Sequence, residues 1–221
     1  MSDDSFFREV DQELRQDQAK ALWDRYGTAI IAAAVAVVLA TAAWVGWDCW
    51  TQSRADASGD AYLQALELAR DGKTEEARAA LAALEADGYG AYPVLAHMRS
   101  ATLLAEAGDH AGAVAGFDSV AADGAIPPSL REMARLRAGL LLVDHGSYAD
   151  VASRVETLTA ETSPLRHSAR EALALAAWKE GRMADAATLF DQIVDDEGAP
   201  QNLRQRATLM SELIRGSGAS S

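Results

Sequence analysis

The chain has little of what builds disulfides, metal cages or tight turns. Of its 221 residues a single one is cysteine, Cys49, which excludes an intramolecular disulfide and a cysteine-rich metal site. Asparagine occurs once, at Asn202, and proline five times, too few turn-formers for a chain of many β-hairpins. Aromatic side chains make up only 6%. Basic residues are outnumbered, 20 Lys and Arg against 33 Asp and Glu, for a formal net charge of -13. Nucleic acid demands clustered Lys and Arg to displace counterions, so this balance excludes it as a partner. Alanine is abundant, and as the strongest helix former it predicts an all-α chain. The mean hydropathy of -0.08 averages over an uneven distribution.

Residues 26–47, YGTAIIAAAVAVVLATAAWVGW, carry no formal charge. As a helix they reach about 33 Å, enough for a hydrocarbon core of about 30 Å. A cleaved signal would have a shorter apolar core and would not follow 25 residues of mixed charge. A buried globular helix would be apolar on one stripe, not all round. The segment is thus expected to be a retained membrane anchor. Arg8, Arg15, Lys20 and Arg25 precede it, and only Arg54 follows closely, which places the N-terminus in the cytoplasm. Trp23 and Tyr26 mark one membrane interface, and Trp44, Trp47 and Trp50 the other. Ala32, Ala36 and Ala40 form a small-residue face of the kind that lets a second helix approach. Phe6, Val10, Leu14 and Leu22 share a stripe ahead of the span and predict an amphipathic cytoplasmic helix. Cys49 lies beside the outer interface as a lone thiol.

Beyond the span the chain repeats. Gly72, Gly108, Gly146 and Gly181 are 36, 38 and 35 residues apart. Each closes one apolar-periodic helix and is followed at once by another, and each is expected to do so with a positive φ. Seven residues earlier stand Ala65, Ala101, Gly139 and Ala174, small enough for two antiparallel helices to meet. Five residues later come Ala77, Ala113, Val151 and Ala186, then Leu81, Phe117, Val155 and Phe190, then Leu84, Val120, Leu158 and Ile193. These offsets keep one stripe on the second helix. A period near 34 with this pattern is that of tetratricopeptide repeats. It departs from their full pattern: Leu68, Leu104, Leu142 and Ala177 occupy an aromatic position, with Trp178 displaced by one, and the prolines 127, 128, 164 and 200 are irregularly placed. Leu203, Ala207, Met210 and Ile214 predict a last helix that caps the solenoid.

No motif for phosphate, dinucleotide or acyl transfer is present. His97, His110, His145 and His167 match no metal-ligand spacing, and the pairs Glu75–Glu76 and Asp195–Asp196 read as solvated charge at helix ends. The chain is therefore expected to be no enzyme and to need no cofactor, metal or small-molecule substrate. Tetratricopeptide solenoids bind along the face made by the first helix of each pair. That register selects Tyr62, Leu66, Met98, Thr102, Met133, Leu136, Leu140, Leu175 and Trp178. Such an apolar, Met-containing set suits hydrophobic protein recognition, and equally suits packing between helices. The Lys and Asn that a carboxylate clamp needs are missing from it.

REVDQELRQDQAKALWDRYG, the alanine-rich span ending in WVGW, and the degenerate repeats resemble the bacterial YfgM-like proteins over nearly the whole chain. The resemblance implies a single-pass inner-membrane protein of a Gram-negative bacterium, an ancillary subunit of the SecYEG translocon. Its periplasmic domain would meet chaperones or emerging client chains. It carries over no catalytic residue. A scaffold subunit of another envelope complex, for cell division or cytochrome maturation, is the alternative. The expected organisation is a cytoplasmic segment (1–25), the span (26–47), a linker (48–57), a periplasmic solenoid of about four helical hairpins with its capping helix (58–215), and a disordered tail (216–221).

Overall fold

The computed structural model describes the backbone of residues 3–217 and the side chains of Lys20 and residues 23–217. Among these residues the chain forms nine α-helices and one 3-10 turn, with no strand, so the all-helical expectation holds. The stripe Phe6, Val10, Leu14 and Leu22 lies outside the described side chains, and residues 218–221 of the tail lie outside the described residues. The chain divides into two compact units, Met1–Asp56 and Ala57–Ser221.

The first unit is made by residues 3–56 of helix α1, which spans Asp3–Arg70. Its apolar stretch is long and hydrophobic enough to cross a membrane, with a mean hydropathy of 2.3, and none of that stretch is buried. Ile30, Val35, Val38, Leu39 and Val45 all stand exposed. The hydroxyl of Thr41 donates to the Val37 carbonyl at 2.8 Å, so it asks nothing of an apolar surrounding. Trp23 lies back over Gly27, where a β-carbon would meet the indole at 3.3 Å. Residues 48–57, expected as a linker, are helical, because DCWTQSRADA contains neither proline nor glycine.

The second unit begins with residues 57–70 of α1. It continues through α2 (Thr74–Asp87), α3 (Tyr92–Glu106), α4 (His110–Ala122), α5 (Pro128–His145), α6 (Tyr148–Val155), a 3-10 turn (Glu156–Thr159), α7 (Arg166–Lys179), α8 (Met183–Val194) and α9 (Gln201–Gly216). From α2 to α6 each helix packs on the next, as do α6 with α7, α7 with α8 and α8 with α9. In addition α5 packs on α7 and α7 on α9, so the first helices of the pairs make one layer and the second helices the other. Four consecutive cores fill the space between them, anchored by Leu81, Phe117, Val155 and Phe190, each 4% exposed or less. Complete burial of such a side chain is worth about 1.5–3 kcal/mol.

The turn glycines divide into two kinds. Gly72, Gly108 and Gly181 take φ of 76°, 88° and 77°. At each, the next residue's N–H reaches back to the carbonyls of Leu68, Leu104 and Ala177 at 2.9 Å, closing the helix with a Schellman motif. Gly146 instead is extended, with φ -133°, which corrects the expectation of a positive φ there. The following helix begins on a capping box between Ser147 and Asp150, which sets the turn without left-handed backbone. Space around Gly146 is close: a β-carbon would lie 2.8 Å from the movable end of the Leu142 side chain and 3.2 Å from the Leu142 carbonyl. The prolines open helices, Pro128 within the first turn of α5 and Pro200 at the N-cap of α9.

Helix α9 closes the stack with Leu203, Ala207 and Ile214 buried and Met210 partly so. Its Ser211, also buried, donates to Asp191 Oδ1 at 2.9 Å. The outward face of this cap is not uniformly polar, since Leu209 and Leu213 are 67% and 53% exposed.

Candidate protein-binding face

The first-helix layer carries the residues that the repeat register selects, and packing sorts them into two groups. Met98 and Leu136, 7% and 5% exposed, are core side chains and not groove residues. Met98 packs with Phe117 and Ala134, and Leu136 with Val155 and Leu173. Their position in the repeat points between the layers, where the neighbouring small residues leave a volume to fill. Tyr62, Leu66, Thr102 and Leu175 are half-buried. The Tyr62 ring lies 6.1 Å from that of Tyr92, and the Thr102 hydroxyl donates to its own helix at Met98 O.

Met133, Leu140 and Trp178 are the selected residues that stand open, at 37%, 42% and 39% exposure. On α5 the residues Met133, Arg137, Leu140 and Asp144 follow one another at helical spacing and are all exposed. They make a continuous outward stripe. Lys179 fixes α7 beside the end of this stripe, its Nζ donating to the carbonyls of Val143 and Asp144 at 3.0 and 2.6 Å. A cation at that place also suits the carbonyl end of α5. The same turn is clasped further by Glu180, which accepts from the Tyr148 N–H at 2.6 Å, and by Arg182, whose guanidinium sits 3.7 Å from the Tyr148 ring centre. An apolar, partly charged strip on a rigid two-layer frame is suited to grip another polypeptide.

Elsewhere, polar side chains tie elements together. Asp196, after α8, accepts from Arg166 Nε at 3.1 Å and from the Gly198 N–H at 2.9 Å, and lies 2.8 Å from His167 Nε2. The Arg166 guanidinium, then His167 and the Gly198 N–H, hold its carboxyl well below the usual carboxylate range. A cavity of about 700 Å³ opens beside it, lined by Glu161, Arg166, Arg170, Gln192, Asp195 and Asp196. Its basic groups are already committed to Asp196 and to the Thr159 carbonyl. Asp118 on α4 holds Arg154 on α6 at 2.9 Å. His97 bridges Glu85 and Ser119 at 2.9 Å each. His110 and His145, from neighbouring repeat turns, stack with ring centres 3.5 Å apart. The four histidines match no ligand spacing, but His110 and His145 both flank turn glycines of consecutive repeats, and that is the sequence signal for their stacking. Among the described residues no group of three or more His, Cys, Asp and Glu converges as a metal site.

In the first unit Trp23, Tyr26, Trp44, Trp47 and Trp50 are all exposed, by 48–73%. Trp47 and Trp50 lie 5.4 Å apart, and Arg25 and Arg54 sit over Tyr26 and Trp50. Such amphipathic rings beside cations suit a headgroup region.

Two layers of paired helices, glycine-closed turns and a capping helix define a repeat scaffold. Residues 20–164 match the family model of a tetratricopeptide repeat-like domain, and residues 136–202 match that of a tetratricopeptide repeat. The chain belongs to the tetratricopeptide repeat-like domain family. No curated protein and no solved structure matches it.

Proposed function

We propose that this protein is a non-enzymatic adaptor held in the bacterial inner membrane by one span, with its repeat domain in the periplasm, where it binds chaperones or emerging client chains beside the Sec translocon. The observation that carries the protein-binding part is the open stripe Met133–Arg137–Leu140, with Trp178 on the neighbouring first helix of a tetratricopeptide-like scaffold. Large apolar side chains left open on an otherwise acidic domain mark a contact surface. The unburied apolar stretch of α1 supports the anchor, and the excess of Lys and Arg ahead of it supports a cytoplasmic N-terminus. The exposed Trp23, Tyr26, Trp44, Trp47 and Trp50 would sit at the two interfaces. Tyr62, Leu66, Thr102 and Leu175 would border the binding face. The translocon as partner rests on the resemblance to YfgM-like proteins. Purification at native level in mild detergent tests it: recovery of Sec subunits is the expected result. Recovery of a different envelope complex without them would move the protein to that machine.

A further inference from the structure

His97 on α3 joins a carboxylate of one helix to a hydroxyl of another. Its Nδ1 lies 2.9 Å from Glu85 Oε2 on α2, and its Nε2 lies 2.9 Å from Ser119 Oγ on α4. Glu85 is itself fixed, because the Ser100 hydroxyl donates to its other oxygen at 2.7 Å. A carboxylate only accepts, so the ring hydrogen sits on Nδ1. In the neutral imidazole Nε2 is then left as an acceptor that faces the Ser119 hydroxyl. This is a base held by a third group within reach of a nucleophile, the relationship that hydroxyl activation requires. Ser119 Oγ also lies 2.7 Å from the Gly116 carbonyl. The hydroxyl has one hydrogen on a free rotor, and turning it from Gly116 onto Nε2 gives the reactive arrangement. The other histidines are placed differently: His167 meets Asp196, while His110 and His145 stack on each other.

Glu85, His97 and Ser119 also line one cavity of about 320 Å³, walled by Pro93, Val94, Val120 and Ile126. Ser119 is exposed, so a reagent reaches it from solvent. Asp123 is the other charged group there, and no Lys or Arg lines the cavity. Apolar walls beside carboxylates favour an uncharged guest over an anion. We propose that Ser119 is a nucleophile with His97 as its base and Glu85 as the positioning residue, and that an uncharged activated ester acylates it. Ser119 Oγ attacks the ester carbonyl carbon and forms an Oγ–C bond. The bond from that carbon to the leaving oxygen breaks, and His97 Nε2 takes the hydroxyl proton and passes it to the leaving group. The chain keeps the acyl group on Ser119, which is a covalent modification and not turnover. This goes beyond the adaptor reading and does not rest on it, since the site uses no residue of the α5–α7 face.

The test treats the full-length protein in lipid nanodiscs with p-nitrophenyl butyrate and reads acylation at each serine by peptide mass spectrometry. Ser147 and Ser153 are the internal references, both exposed and both hydrogen-bonded to Asp150 instead of an imidazole. A positioned base is worth about 10²–10⁴ in rate, and an open cavity keeps the lower part of that. Ser119 should therefore acylate at least about tenfold faster than the references. His97→Gln should bring it down to their rate while the helical circular dichroism stays unchanged. Glu85→Gln should remove part of the advantage, and Glu85→Asp, which keeps a carboxylate, should recover much of that loss. The comparison of serines within the unaltered protein decides even if a variant fails to fold. Acylation of Ser119 no faster than the references overturns the proposal. So does a rate that His97→Gln leaves unchanged, or an acyl group found on His97 instead of Ser119. Equal acylation by the anionic p-nitrophenyl half-ester of succinate overturns the assignment of an uncharged donor.

Discussion

Gly139 on α5 and Val155 on α6 meet so closely that a β-carbon on the glycine would run into Val155 Cγ1. The other three repeats carry alanine at this place, Ala65, Ala101 and Ala174, each 2% exposed or less. The third repeat therefore has no room for that alanine, and its glycine is required by a neighbour, not by its own backbone angles.

Gly139→Ala sets two effects against each other. Helix propensity favours alanine by about 1 kcal/mol. Overpacking against Val155 costs about 1–3 kcal/mol, since a β-branched side chain has little freedom to yield. Overpacking should win, so chemical denaturation should show a net loss of up to about 2 kcal/mol. Gly46→Ala, where nothing lies within 4 Å, should show no such loss.

Asp196 gives the repeat domain an acid-sensitive joint. Arg166, His167 and the Gly198 N–H hold its carboxyl below the ordinary range in the folded chain. A depressed folded value means that the stabilisation is complete above the unfolded value of about 4 and is lost as the pH falls below it. Melting temperature should accordingly drop below about pH 4, and Asp196→Asn should lower it at neutral pH while flattening that acid drop. An unchanged acid profile in the variant would place the sensitivity elsewhere.

Charge introduced at two first-helix positions should separate core from face. Leu136→Asp puts a carboxylate into the core with Val155 and Leu173 and should cost upward of about 3 kcal/mol, visible as lost helical signal. Trp178→Asp changes a partly open position and should leave the domain folded at a cost of about 1–2 kcal/mol, while partner capture weakens. Equal unfolding by both would make Trp178 part of the core.

Topology has its own check. In intact spheroplasts, protease added outside should remove the repeat domain and leave a membrane-bound fragment containing α1's apolar stretch. Protection until the membrane is lysed would reverse the orientation expected from Arg8, Arg15, Lys20 and Arg25.

The repeat frame was legible because Gly72, Gly108 and Gly181 recur with the same small and bulky residues at fixed offsets, and one turn geometry serves all three. Gly146 was not, because Ser147 and Asp150 make a capping box that needs no positive φ, and a serine-aspartate pair three apart is easily read as loop polarity. The binding register mixed core with surface at Met98 and Leu136: helical periodicity places residues on a face but does not say how deep the next helix sits against it. The Asp196 cluster was hidden because its partners lie 29 and 30 residues away and come together only through the α7–α8 hairpin.

The central claim is that the open face of α5 and α7 grips a partner protein beside the translocon. A photo-crosslinking amino acid placed at Leu140 in living cells tests it most directly, with the same probe at Glu76 on α2 as the comparison. Adducts at Leu140 to a Sec subunit, a periplasmic chaperone or an emerging client, absent at Glu76, are the predicted result. Equal labelling from both positions, or adducts from Glu76 alone, would contradict it.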